Sequence, residues 1–93
     1  SKNELKEIVS LQIDQLSKKL HERKIQLEIT DDAKLLLAEL GYSVVYGARP
    51  LKRVIQNRIE NPLSEMILRG EIGSGDTISV SEEDGNFQFD CGG

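Results

Sequence analysis

Between Asn3 and about His21, Leu5, Val9, Ile13, Leu16 and Leu20 recur every third or fourth residue, and Ile8 widens the stripe. That spacing places apolar side chains on one face of an α-helix. At "KIQLEIT" the period drops to two, with Ile25, Leu27 and Ile29 on one face and Gln26 and Glu28 on the other. Such alternation belongs to a half-buried strand. The switch from one period to the other commits the chain to mixing helices with a sheet. No sharp cap precedes the first helix beyond Ser1 or Asn3, so residue 1 reads as a boundary within something longer.

The remaining elements follow from local signals. Thr30 is placed to cap a second helix, and Asp31 and Asp32 put negative charge in its electropositive first turn. That helix is expected over residues 31–40, with Ala33, Leu36, Leu37 and Leu40 buried and Gly41 ending it in a left-handed conformation. After a loop through Gly47, Pro50 marks the first turn of a third helix whose apolar stripe is Leu51, Val54, Ile55 and Ile59. Pro62 lacks an N–H, so a kink or stop is expected near Asn61, with Asn61 capping a short fourth helix. Leu63, Met66 and Ile67 would face inward and Gly70 would close it. "GSGD" is a turn, and "DTISV" and "NFQFD" are short strands joined across "EEDG", where Asp84-Gly85 suits a tight hairpin. Ile78, Val80, Phe87 and Phe89 supply their inward faces. The order predicts an α+β fold of about four helices packed on a small three-stranded sheet.

Ninety-three residues make a single small domain, 1–93, with a modest core. A charged fraction of 30% with 38% hydrophobic residues belongs to globular chains. The formal charge of −4 and only 4% aromatic residues argue against a nucleic-acid binder, which needs clustered cations and stacking platforms. The apolar runs at residues 35–38 and 44–46 are far shorter than the roughly 20 residues of a membrane helix, and the start "SKNELKEIV" has no signal-peptide pattern, so the chain reads as soluble and intracellular. Cys91 is the only cysteine, in "DCGG", and reads as an incidental exposed thiol. His21 is equally alone and reads as a solvated residue at a helix end, since a zinc site needs three or four ligands.

Catalytic patterns are scarce: the chain has no GxxxxGK[ST] phosphate loop and no Ser or Cys nucleophile with a visible His partner. Asp31-Asp32 and Glu82-Glu83-Asp84 are explained as a helix start and a solvated turn. The segment "YGARPLKR" differs, because several features converge there on an anion. A helix entrance presents unpaired N–H groups at the positive end of its dipole. Pro50 fixes that entrance and biases Arg49 towards an extended backbone. Gly47 and Ala48 add no bulk against an approaching surface. Arg49 then offers a planar, permanently charged fork to phosphate oxygens. The plain alternative is that Arg49 pairs with an acidic side chain of its own domain and Gly47 only permits a turn. A second possibility is a free-standing module whose basic face of Lys52, Arg53 and Arg58 docks an acidic protein or nucleic acid.

"GYSVVYGARPLKRVIQNRIENPLSEMILRGEIGSGDTISV" resembles the small C-terminal subdomain of the second ATPase module in Clp-type AAA+ unfoldases, of the ClpB type. The resemblance covers nearly the whole chain, from "ELKEIVSLQ" to the last strand. Its most specific part is the Gly-Tyr…Tyr-Gly-Ala-Arg-Pro-Leu block followed by "VIQ" and "NPL". The resemblance implies that "GAR", residues 47–49, is the sensor-2 motif and that Arg49 touches the terminal phosphates of an ATP, with its Mg, held mainly by the preceding large subdomain. It implies a lid that also packs on neighbouring protomers of a hexameric ring, in a protein that threads client polypeptides and either disaggregates misfolded ones with a 70-kDa heat-shock chaperone or feeds a protease. It implies a cytoplasmic or mitochondrial-matrix location, with neither nucleic acid nor membrane as a partner. The family pattern usually has Asp-Pro where this chain has Ser43-Val44, which predicts a looser loop before the motif. No Walker A, Walker B, arginine finger or pore loop lies within these residues, so the isolated chain is not expected to hydrolyse ATP.

Overall fold

The computed structural model describes residues 2–92, with side chains described from residue 4 onward. Helix α1 spans Lys2–Glu22, strand β1 Gln26–Ile29 and helix α2 Asp31–Gly41. A longer helical run follows, made of α3 (Leu51–Ile55), a wide π-type turn (Gln56–Glu60) and α4 (Asn61–Leu68), and the chain ends in strands β2 (Thr77–Glu83) and β3 (Asn86–Gly92). The sheet order is β1-β2-β3, with β1 parallel and β3 antiparallel to β2. Parallel pairing of β1 with β2 requires a crossover, and α2, α3 and α4 all lie in that connection. The fold is α+β as expected, a three-stranded sheet covered by helices. Ser1, one of the two expected caps of α1, is outside the described residues, and Asn3 lies inside the helix.

The largest departure from expectation is at Pro62, where no break occurs. Ile55, Glu60 and Asn61 all keep right-handed helical dihedrals, so Asn61 continues a helix instead of capping a new one. What Pro62 changes is the pitch. The Asn61 N–H reaches back five residues to the Gln56 carbonyl, the hydrogen bond of a π-turn. A proline ring collides with the carbonyl four residues earlier in a regular α-helix, and widening the turn just ahead of the ring relieves that collision. The wider turn also rotates less per residue. Leu51, Ile55, Ile59 and Leu63, spaced strictly by four, therefore stay on one buried line where a 3.6-residue period would let them drift. There are thus three helices on the sheet among the described residues, the last carrying what was expected to be two.

The core gathers Val9, Ile13, Leu16 and Leu20 of α1, the line just described, Ile25, and Ile78 and Val80 of the central strand, with Phe87 and Phe89 packed at its margin. Three expected core positions move. Ile8 is exposed, and the buried face of α2 is Ala33, Leu37, Ala38 and Gly41, leaving Leu36 half-buried and Leu40 exposed. Small residues face the neighbouring helices because α2 packs closely against both α1 and α3.

Local signals set most element ends as predicted. The Thr30 side chain accepts the Ala33 N–H at 3.2 Å. Gly70, at φ +78°, ends α4, with its own N–H on the Ile67 carbonyl and that of Glu71 on the Met66 carbonyl. Asp84 and Gly85 both have positive φ, as a two-residue hairpin turn requires, and pairing continues right up to Glu83 and Asn86. Glu82 and Glu83 consequently belong to β2 rather than to the turn.

Gly41 is the exception. It is not left-handed but the last residue of α2, followed by an extended Tyr42. A Cβ built on Gly41 would sit 2.6 Å from Leu51 Cδ1 and 2.8 Å from Leu51 Cα. Glycine is needed there for close approach between two helices, not for turning the chain.

Candidate functional site

The Gly41–Leu51 contact closes the base of the loop formed by residues 42–50. Inside it, Ser43 and Gly47 exchange both backbone hydrogen bonds, at 2.8 and 2.7 Å. The Ser43 hydroxyl accepts the N–H groups of Val45 and Tyr46, at 3.1 and 3.2 Å. This serine fills the loop as a short side-chain acceptor, so the segment expected to be looser than the family pattern is a hydrogen-bonded miniature hairpin. Its tip, Val44 and Val45, is 93% and 78% exposed.

Gly47, at φ +63°, turns the chain out of the hairpin, and nothing lies within 4 Å of a Cβ built on it. Dihedral freedom, not crowding within the chain, is why a glycine stands here, and the side it faces is open. Its N–H is already given to Ser43. The Ala48 carbonyl accepts the Leu51 N–H, and Pro50, in helical conformation, takes the Val54 N–H. Pro50 thus stands at the helix entrance as expected, one residue ahead of Leu51.

Arg49 is exposed on this turn. Its N–H donates to the Tyr46 carbonyl at 3.2 Å, and its guanidinium carbon lies 5.4 Å from the centre of the Tyr46 ring. Among the described residues no carboxylate lies within ion-pair distance of it. Ion pairs lie elsewhere, among them Lys6–Asp31 at 3.3 Å, Lys19–Glu60 at 3.6 Å and Arg69–Glu71 at 2.6 Å. The alternative of an internal salt bridge for Arg49 therefore has no partner here. Of the three residues singled out in "GAR", Gly47 faces open space, Ala48 is half-buried, and Arg49 carries side-chain donors that no acceptor among the described residues occupies.

Lys52, Arg53 and Arg58 are all exposed, as a solvated stretch of basic residues would be. Arg58 lies over the Phe87 ring of β3, 5.4 Å from its centre, whereas Lys52 lines a recess with Gln12, Gln15 and Lys19 of α1. His21 is exposed in the last turn of α1. No group of three or more His, Cys, Asp or Glu side chains is arranged for a metal, and no helix is long and apolar enough to cross a membrane, among the described residues. The hydroxyl of Ser43 and the ring of Tyr46 were not singled out from the sequence, although the "S-x-x-Y" spacing before the glycine could have suggested the first.

Residues 1–80 match the family model of the C-terminal, D2-small domain of ClpB protein. The chain is 48% identical over 88 residues to the chaperone protein ClpB 2 of Nostoc sp., covering 95% of the chain and 10% of that protein. It is 51% identical over 86 residues to the negative regulator of genetic competence ClpC/MecB of Bacillus subtilis, covering 92% of the chain and 11% of that protein. The chaperone protein ClpB of Aquifex aeolicus is 48% identical over 86 residues, 92% of the chain and 8% of its own length. The chain thus spans about a tenth of the length of these relatives. With a family model matched over most of its length and relatives near half identity, this chain belongs to the D2-small domain family of ClpB proteins.

Proposed function

We propose that the chain is the lid of an ATP-driven protein unfoldase or disaggregase, following a large ATPase subdomain in a longer polypeptide. Arg49 would contact the terminal phosphates of ATP held, with its Mg, mainly by that large subdomain, while Gly47 and Ala48 leave room for the nucleotide to approach. The observation that carries this reading is the state of Arg49: exposed, without a carboxylate partner among the described residues, and held by an aromatic ring that leaves its N–H donors available. A planar guanidinium with free in-plane donors on a closed loop suits recognition of phosphate oxygens.

In this reading the body of the lid packs on the large subdomain and on neighbouring protomers of a hexameric ring. Nucleotide-driven closure then moves the parts of the parent that thread misfolded client polypeptides, delivered by a 70-kDa heat-shock chaperone. The bacterial relatives favour the cytoplasm over the mitochondrial matrix. The chain itself carries no Walker motif and contributes no bond-breaking group; its part in hydrolysis is to stabilise charge on phosphate.

The test is Arg49→Ala in the full-length polypeptide. Loss of nucleotide-coupled ATPase activity and of disaggregation, with this domain still folded, is expected. Wild-type activity in that variant would remove Arg49 from the site.

A further inference from the structure

We infer that Tyr46 is the positioning residue for Arg49. It would hold the guanidinium over its ring so that the in-plane N–H donors stay free for a phosphate. The inference rests on the reading of Arg49 as the phosphate contact and adds what prepares that side chain.

Tyr46 engages Arg49 twice. Its carbonyl accepts the Arg49 N–H at 3.2 Å and its ring lies 5.4 Å from the guanidinium carbon, within the range of a cation–π contact. Tyr46 is 57% exposed, so it is not a core residue. Its place is set by the loop: the Ser43 hydroxyl takes the Tyr46 N–H, and Gly47, at φ +63°, folds residues 48 and 49 back over it. The ring attracts the cation through its face and accepts none of its N–H groups in-plane, unlike a carboxylate, which would occupy them. A long, rotamer-rich side chain is thus confined before ligand arrives, and less ordering remains to oppose binding.

The experiment measures ATP and ADP affinity of the full-length polypeptide carrying Tyr46→Leu, Tyr46→Phe, Arg49→Ala, and the Tyr46→Leu/Arg49→Ala pair. An exposed cation–π contact corresponds to about a two- to fivefold change in a binding constant. Tyr46→Leu is expected to weaken ATP by that factor and ADP by less, Tyr46→Phe to retain affinity, and Tyr46→Leu to add nothing once Arg49 is Ala. If Arg49→Ala weakens ATP but Tyr46→Leu does not, the positioning role is overturned and the phosphate contact stands. Equal loss from Tyr46→Leu in both backgrounds also overturns it, because the ring would then act independently of Arg49. No effect of Arg49→Ala would overturn the phosphate contact itself. Proton NMR of this chain reads the geometry separately: the Arg49 δ-methylene signals should be shifted upfield by the ring in wild type and Tyr46→Phe, and relax in Tyr46→Leu. An unshifted wild-type signal would show that the ring does not hold the arginine.

Discussion

The Cα of Leu51 lies 2.8 Å from where a Cβ on Gly41 would stand, so the last residue of α2 and the first of α3 meet backbone to backbone. This contact ties the two ends of the 42–50 loop together, and everything that presents Arg49 is built between them. A change at Gly41 therefore acts on Arg49 through the base of its loop.

Gly41→Ala places a methyl against a backbone atom that cannot rotate away. Overpacking of this kind costs about 1–3 kcal/mol, whereas alanine regains at most about 1 kcal/mol of helix propensity over glycine. The clash should win, and a net loss of stability is expected in urea denaturation. Gly73→Ala is the control, since nothing lies within 4 Å of its Cβ and its φ is not positive. A Gly41→Ala variant as stable as the parent would mean that the helices can separate there at little cost.

The Ser43 hydroxyl holds the N–H groups of both Val45 and Tyr46. Ser43→Ala removes that acceptor while keeping the backbone pairing to Gly47, so amide exchange at residues 45 and 46 should accelerate with global stability changed by about 1 kcal/mol or less for these exposed bonds. Ser43→Asp restores an acceptor of similar reach and should return protection. Unchanged exchange in Ser43→Ala would show that the hydroxyl does not order the loop.

Ile59 is fully buried and sits in the wide turn, on the line shared by Leu51, Ile55 and Leu63. Ile59→Ala should cost about 2–5 kcal/mol. Against a total of about 5–15 kcal/mol for a domain, the variant should unfold at a much lower urea concentration. The solvent-facing neighbour Asn57 tests whether burial is the cause: Asn57→Ala, at an exposed position of the same turn, should shift stability by about 0.5 kcal/mol or less.

The Cys91 thiol donates towards the Glu71 carbonyl at 3.8 Å. Lost hydration and the negative charge of Asp76 raise the thiol pKa above the ordinary 9.0. Both disfavour the thiolate, the form that reacts. Alkylation by iodoacetamide should therefore reach its half-maximal rate above pH 9.0 in the folded chain and nearer that value in urea. Asp76→Asn should lower the midpoint. A folded-state midpoint at or below the ordinary one would contradict this account.

Where a structural feature depends on neighbours in sequence, it was legible before any coordinates. The 3.6-residue and two-residue periods marked α1 and β1. Thr30 marked the start of α2, Gly70 the end of α4 and Asp84-Gly85 the hairpin, because each acts through bonds to residues three to five positions away. The block around Arg49 identified the family for a related reason: a glycine, a proline and an arginine at fixed spacing describe one local turn.

Gly41 and Asn61 were misread because their roles depend on partners far along the chain or on the helix as a whole. Gly41 answers to Leu51 across a closed loop, and Asn61 stays helical because Pro62 is accommodated by a wide turn that the core line of every fourth residue favours; the contact of Arg58 with Phe87, far along the chain, was likewise beyond any local signal. The sequence by itself determined most of the elements and their order, and offered Arg49 as a candidate for an anion or for an internal salt bridge. Tertiary structure alone decided that Arg49 has no internal carboxylate among the described residues and rests on Tyr46. That outcome depends on how closely two helices approach and how the loop between them closes, distances that no local spacing encodes.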